Sequence, residues 1–272
     1  MTSLERGSTA FTCPNCSTSL LPGTGALECP DCTEEVPVVD EIPRFVDASD
    51  APTASFFDHL SSIYETPLWF AVMYRALLFP RLPPDDRLLV STYLAEGHFR
   101  ERTSPSGETG LEEHAVLDVA RGTGRFTRYI AASADHVWGV DISPRMLGQA
   151  RKYASRDGVE NVTFALMDAN ELQFESEFFD GVACCWALHL FPNVEHVLEE
   201  VHRILSPGGR FAGTTLADAS LLATAPVQLS IRQTLGARVF EQEQFRTLLQ
   251  GAGFQEVTLE RRGGGLFFGA VV

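Results

Sequence analysis

A doubly wound α/β fold of seven mostly parallel strands, with a small cysteine-bearing module ahead of it and helical segments over it, is the fold class this sequence predicts. Three observations predict it. Short apolar runs alternate with segments of helical period from Ala115 onward, a glycine turn closes the first run, and two Cys-x-x-Cys pairs stand near the N-terminus. The 272 residues, 44% hydrophobic and 21% charged, suffice for one large or two unequal domains with a buried core.

The cysteine module spans residues 1–48. Cys13-Pro-Asn-Cys16 and Cys29-Pro-Asp-Cys32 are separated by 12 residues, slightly tighter than the roughly 15–20 of many such pairs. Each pair can present two thiolates to one tetrahedral ion. Cys13, Cys16, Cys29 and Cys32 therefore predict a closed, structural zinc ribbon with no open coordination position. The alternative is two disulfides, disfavoured in the reducing cytoplasm expected for a chain whose start, Met1 to Ala10, shows no apolar leader. So short a segment builds little core, so metal binding would supply much of its folding free energy. The remaining cysteines, Cys184 and Cys185, sit in an apolar run and read as strand packing.

Residues 49–110 read as linker and helical preamble. Phe56, Leu60, Ile63 and Tyr64, then Trp69, Met73, Ala76 and Leu77, recur at helical spacing, with Pro67, Pro80, Pro83 and Pro84 as breaks. No apolar run reaches the roughly 20 residues a bilayer crossing needs, so no membrane span is expected.

The core is predicted over 111–272. Ala115 to Val119 reads as a buried strand, followed by the turn Arg121-Gly-Thr-Gly124 and a short helix. His136 to Val140 is the second strand; Ser143 reads as an N-cap with Pro144 at the first helical position. Further strands are expected at 162–167, 179–186, 210–215, 255–260 and 266–271. Helices are expected after Asn193 and over 242–251, with Ser206-Pro-Gly-Gly209 stopping the first of these. Residues 217–240 form an insertion after the fifth strand, with Val227, Ile231 and Leu235 at helical spacing; with the preamble it predicts a lid.

Charge narrows the partners. The chain carries a formal −15, and its first 50 residues hold nine acids against two arginines, a net −7. Affinity for nucleic acid comes largely from Lys and Arg on phosphates, so this module is expected to repel RNA or DNA.

In a sheet of this kind ligands bind beyond the carboxyl ends of the strands, beside the first one. That places Asp118 to Gly124 in the site. A dinucleotide fingerprint needs a third glycine where Thr127 stands, and a P-loop needs Lys followed by Ser or Thr, which is missing; both are disfavoured. What remains is Asp118, a Gly-x-Gly turn, Asp141 nineteen residues after Gly122, Asp168 after the third strand, and Leu-Ser-Pro-Gly-Gly-Arg-Phe before the fifth.

This set resembles the class I S-adenosylmethionine-dependent methyltransferases, whose core is a Rossmann-like seven-stranded sheet. By that resemblance Gly122 and Gly124 let the backbone approach the methionine part, and Asp141 accepts from both ribose hydroxyls. Asp168 and Ala169 hold the adenine edge, and Ile142 packs on the adenine face. Trp186 and Ala187 line the wall beside the sulfonium, and Met146, on the helix opened by Ser143, joins the cofactor-binding set. An acidic cleft suits a cationic sulfonium and ammonium. Where the family usually shows glycine, this chain has Ala120 followed by Arg121. Ala120 implies either a cost of about 1 kcal/mol at positive φ or a turn shifted to negative φ. Arg121 reads either as a solvated turn residue or as a contact to the cofactor's carboxylate or an anionic substrate.

The wider layout, ribbon then helices then core with Ala187-Leu-His-Leu-Phe-Pro192, looks like bacterial and plastid small-molecule methyltransferases related to the quinone-biosynthesis enzymes. It is also similar to ribosomal-RNA guanine methyltransferases with a zinc module, a reading the acidic ribbon disfavours. Methyl transfer is an in-line displacement needing alignment in a dry pocket. His189, just past Trp186, is the candidate base or substrate ligand, with Tyr64 and His59 of the preamble as further catalytic candidates. The expected activity is O- or C-methylation of a small, rather apolar molecule. A cofactor-binding protein that has lost methylation, serving as scaffold or in non-methyl chemistry, is the third reading.

Overall fold

A computed structural model describes residues 7, 10–47, 66, 86, 90, 94, 114–217 and 237–272. The cysteine module forms a meander of four short strands in sequence order: β1 (Leu21–Pro22), β2 (Ala26–Glu28), β3 (Glu35–Val39) and β4 (Ile42–Pro43). Leu20, Leu27 and Val36 are buried inside it.

From residue 114 the predicted alternation appears. The elements are β5 (Ala115–Val119), α1 (Arg125–Ile130), β6 (His136–Asp141), α2 (Pro144–Asp157), β7 (Val162–Leu166), β8 (Phe179–Cys185), α3 (Val194–Ile204), β9 (Leu205–Leu216), α4 (Gln242–Gly251), β10 (Gln255–Arg262) and β11 (Gly265–Val271). The seven-stranded sheet runs β10-β11-β9-β8-β5-β6-β7. Strand β11 is antiparallel to both its neighbours, while β6, β7, β8 and β9 pair parallel around β5. Side chains alternate between faces, so both faces of such a sheet must be covered. Val116, Val137 and Phe164 pack with Phe126 and Ile130 of α1 and Leu147 and Ala154 of α2. Leu117, Val140 and Val182 pack on the other face with Val197, Leu198 and Val201 of α3 and Phe245 and Leu249 of α4.

Local sequence explains the boundaries. Ser143 caps α2 by accepting from the Met146 amide at 3.1 Å, and Pro144 opens the helix. Asn193 occupies the N-cap of α3, but its side chain makes no cap bond. The Ser206-Pro-Gly-Gly segment ends α3 as expected and then continues inside β9: Phe179 pairs with Leu205 and Gly181 with Arg210, so the motif bulges out between the two registers. Cys184 is fully buried in β8, in keeping with a packing role.

The cysteine module docks on the β7 edge of the large sheet. Arg44 forms a parallel bridge with Leu166, whose carbonyl accepts from the Phe45 amide at 2.8 Å. Of the predicted preamble, Val90 is buried in the α1/α2 face and Leu94 packs against it. The insertion after β9 has a closed neck, with Ala217 bridged to Phe240. Residues 218–236, on which the lid expectation rests, lie outside the described residues, as do His59 and Tyr64.

Candidate active site

Four strand ends, those of β5, β6, β7 and β8, meet at the switch point of the sheet. Strand β5 delivers Asp118, which is fully buried. Its Oδ2 accepts from Thr127 Oγ1 at 2.6 Å, while Oδ1 has no partner among the described residues. Burial pushes this carboxyl up to about 6.

The turn that follows is built from left-handed backbone. Gly122 and Gly124 have φ of 56° and 78°, and Ala120 has φ of 52°. The turn therefore keeps the glycine-type conformation with alanine in it, at a cost of about 1–2 kcal/mol. A Cβ at Gly122 would meet nothing within 4 Å, so the turn faces open space. One at Gly124 would press on the Arg121 guanidinium. Gly122 thus offers the bare backbone against which a ligand can lie.

Strand β6 ends in Asp141, whose two oxygens accept from the Gly122 amide (2.7 Å) and the Ser143 amide (2.9 Å). The carboxylate ties the glycine turn to the start of α2. Each oxygen retains a second lone pair that a donor on a ligand could use. Burial raises its pKa above the ordinary carboxylate range. Ile142 beside it is half-buried, and Met146 is buried beneath.

After β7 comes Asp168. Its Oδ1 accepts from the amide and side chain of Asn170 at 2.9 and 2.8 Å, which fixes the carboxylate next to buried Ala169. Strand β8 is followed directly by Trp186, a bulky residue at φ of 59°. Such backbone persists only where surroundings enforce it, typically at ligand sites. Here the Trp186 Nε1 donates to Asp86 Oδ2 at 3.1 Å.

Sequence reasoning missed Asp86. It is buried, and both its oxygens also accept from Arg125, the first residue of α1, at 2.5 and 3.1 Å. One carboxylate from the preamble thereby joins the glycine-turn helix to the Trp186 wall. The sequence marks Pro83 and Pro84 only as breaks, and nothing singles out the carboxylate that follows them.

Arg121 departs from the solvated-turn expectation. It is only 6% exposed, packed over Gly139 and Gly124, with its guanidinium carbon 3.6 Å from the centre of the Phe164 ring. None of its three nitrogens has a hydrogen-bond partner among the described residues. Burial lowers its pKa to about 9, with Asp141 and Asp118 as opposing charges. It lies under the turn rather than in solvent.

His189 lies in a one-turn helix, Leu188–Leu190, and is buried. Its Nδ1 is 3.4 Å from Thr215 Oγ1, and its carbonyl accepts from the Arg238 amide at the insertion's neck. Burial drives its pKa down to about 3, so the ring is neutral near pH 7.

The cysteines converge as predicted. The four Sγ atoms lie within 4.8 Å of one another, with Cys13 to Cys32 at 3.5 Å, Cys16 to Cys29 at 3.4 Å and Cys16 to Cys32 at 3.7 Å. A tetrahedron with zinc–sulfur bonds of about 2.3 Å has edges of about 3.8 Å, whereas a disulfide needs about 2.0 Å. None of the four is in a disulfide. Asn15 to Glu34 and Thr18 to Asp31 hydrogen bonds, at 2.6 and 2.8 Å, brace the two knuckles against each other.

A parallel sheet with one antiparallel strand, acids at the ends of β5, β6 and β7, and an open glycine turn define an enzyme class that holds a nucleoside-bearing cofactor at the switch point. The methyltransferase-domain family matches residues 116–209. Demethylmenaquinone methyltransferase of Tropheryma whipplei is 30% identical over 208 residues, covering 69% of this chain and 83% of the relative. A ubiquinone/menaquinone biosynthesis C-methyltransferase of Brucella abortus is 37% identical over 109 residues, 39% of this chain and 40% of the relative. The structure of Haemonchus contortus phosphoethanolamine N-methyltransferase 2 with S-adenosyl-L-methionine shares the fold at a TM-score of 0.59 and 18% identity, over 80% of this chain and 60% of that one. This chain belongs to the class I S-adenosylmethionine-dependent methyltransferases.

Proposed function

We propose that the chain methylates a small, rather apolar acceptor on carbon or oxygen, with a structural zinc ion in its N-terminal module. One observation carries the acceptor class: the similarity to a demethylmenaquinone methyltransferase extends over 83% of that protein, beyond the cofactor-binding segment alone. Burial keeps His189 neutral near pH 7, so it meets the acceptor as a hydrogen-bond partner, a role that suits carbon or oxygen alike. A relative named as a C-methyltransferase favours carbon.

Bound S-adenosylmethionine would supply an electrophilic methyl on a sulfonium. The chain's own residues bind and align. Asp141, fixed by two backbone amides, takes the ribose hydroxyls. Asp168, fixed by Asn170, takes the adenine edge with Ala169, and Ile142 packs on the ring. Gly122 admits the methionine portion, while Trp186 and Ala187 wall the reacting methyl. His189, held by Thr215 and by the neck of the insertion, donates or accepts one hydrogen bond to orient the acceptor. A dry pocket and this alignment are the main requirements of such a displacement.

The four cysteines would hold Zn²⁺ as thiolates; the S···S spacing fits that ion, and all four ligands leave no open position for catalysis. The acidic module supports a small acceptor rather than RNA.

The test incubates purified protein with methyl-labelled S-adenosylmethionine and separate pools of demethylmenaquinone, reduced quinols and ribosomal RNA, with products read by mass spectrometry. Label in a quinol or another small molecule is the expected result. Label in RNA alone overturns the acceptor class, and donor binding by calorimetry without any labelled product points to non-methyl chemistry.

A further inference from the structure

The loop between β7 and β8 carries Asp168 and Ala169, and the cysteine module grips it at both ends. At the near end Phe45 donates to the Leu166 carbonyl at 2.8 Å, beside the Arg44 bridge to the same residue. At the far end Thr12 donates to the Gln173 carbonyl at 2.9 Å, Phe11 pairs antiparallel with Phe174, and Ser19 Oγ donates to Glu175 Oε1 at 2.5 Å. One ring joins the two ends, because the Phe11 centroid is 5.4 Å from that of Phe45 and 5.2 Å from that of Phe174.

The module's grip leads directly to its metal ligands. Phe11 and Thr12 immediately precede Cys13, whose amide donates to the Thr18 carbonyl at 2.8 Å, and Thr12 is bridged to Ser19. The knuckle that places Cys13 and Cys16 also places the strand holding Gln173 and Phe174. On the loop's other side the catalytic domain provides its own clamp: Arg203 donates to the carbonyls of Leu172 and Phe174 at 2.7 and 2.9 Å. The adenine loop is thus held between α3 and the cysteine module.

We propose that the module is a positioning element for the methyl-donor site, so that metal in its four cysteines sets the order of residues 167–175 and through it the affinity for the donor. This rests on the assignment of Asp168 and Ala169 to adenine. Ordering a free loop costs conformational entropy that the ligand would otherwise have to offset, and pre-organising it raises affinity without adding a contact. Phe11, Thr12 and Phe45 act through the loop and touch no reacting atom.

The test uses the full chain loaded with zinc, the same protein stripped by a chelator under reducing conditions, and a Phe11→Leu variant that keeps all four cysteines. S-adenosylhomocysteine affinity is measured by calorimetry, and amide exchange is followed over 167–175 with β5 as the control. Metal loss should weaken binding at least 10-fold and raise exchange in 167–175 while β5 stays protected; Phe11→Leu should do the same more mildly at unchanged zinc content. Affinity within twofold after stripping, or unchanged exchange in 167–175, overturns the proposal. Should stripping also open β5, the Phe11→Leu variant decides, weakened binding supporting the proposal and unchanged affinity overturning it. A zinc-loaded protein that binds no S-adenosylhomocysteine refutes the donor-site assignment instead, and exchange in 167–175 then decides the ordering claim alone.

Discussion

Replacing Arg121 by methionine should stabilise this protein. The guanidinium is buried without a hydrogen-bond partner among the described residues, and its pKa falls to about 9. At about 1.4 kcal/mol for each tenfold change in proton affinity, that fall amounts to roughly 5 kcal/mol against the charged form. Stacking on Phe164 at 3.6 Å returns about 2 kcal/mol. Methionine fills the same space over Gly139, and its sulfur keeps a weaker contact with the ring, worth roughly 0.3–1.5 kcal/mol. Removing the cation also raises the pKa of Asp118, already about 6, which takes back part of the gain as pH rises. Buried Asp141 loses the same opposing charge, and removing one partner of a buried charge group is destabilising while the others stay ionised. The expected net is therefore a stabilisation of roughly 1–3 kcal/mol only where the carboxyls can take up protons. Urea denaturation at pH 6 and pH 8 measures it, with the larger gain at pH 6; melting should rise by roughly 2–4 °C for each kcal/mol. An unchanged or lower midpoint at both pH values would refute the reasoning, because the guanidinium would then be worth more in place than its burial costs.

Three other outcomes are expected. Asp141→Asn leaves one oxygen to accept from Gly122 and Ser143, so it should lower stability by about 1–3 kcal/mol and weaken S-adenosylhomocysteine binding at least 10-fold by calorimetry. His189 has a folded pKa of about 3 against an ordinary 6.5, so proton uptake favours the unfolded chain and stability is lost as pH falls through that window. Asp118, raised to about 6, acts in the opposite sense between about pH 4 and 6, so the comparison is with His189→Asn, whose urea midpoint should fall less between pH 6.5 and 4. Ala120→Gly relieves a φ of 52° and should raise the unfolding free energy by up to about 1 kcal/mol in urea titration, with cofactor affinity unchanged or improved.

The seven strands were legible because each combines a short apolar run with turn residues at its ends, and strands covered on both faces read as near-continuous apolar runs rather than alternating ones. Ser143 with Pro144 was legible for the same local reason: capping chemistry lies within four residues. The four-cysteine cluster followed from ligand spacing alone. Arg121 was not legible, because a charged residue in a glycine turn looks solvated until Gly139, on the neighbouring strand, is known to leave the space beneath it. Nor was the left-handed backbone at Trp186, whose indole meets Asp86 of the preamble. The docking of Arg44 and Phe45 on Leu166 carries no hydrophobic period, so pairing between distant segments left no mark in the sequence. Ser206-Pro-Gly-Gly209 shows the converse: the stop signal is local and legible, but the bulge inside β9 depends on its partner strand.

The two borders of the large sheet are defended by different means. Strand β10 carries exposed Glu256, Arg261 and Arg262, and charged side chains of this kind deter a second chain from adding on. Strand β7, Val-Thr-Phe-Ala-Leu, is buried along its whole length and has no charge of its own. Its guard is the cysteine module, whose Arg44 occupies the hydrogen-bonding position a foreign strand would take. Losing the metal proposed for its four cysteines would therefore leave a bare, sticky apolar border, prone to self-association even where the catalytic domain has folded.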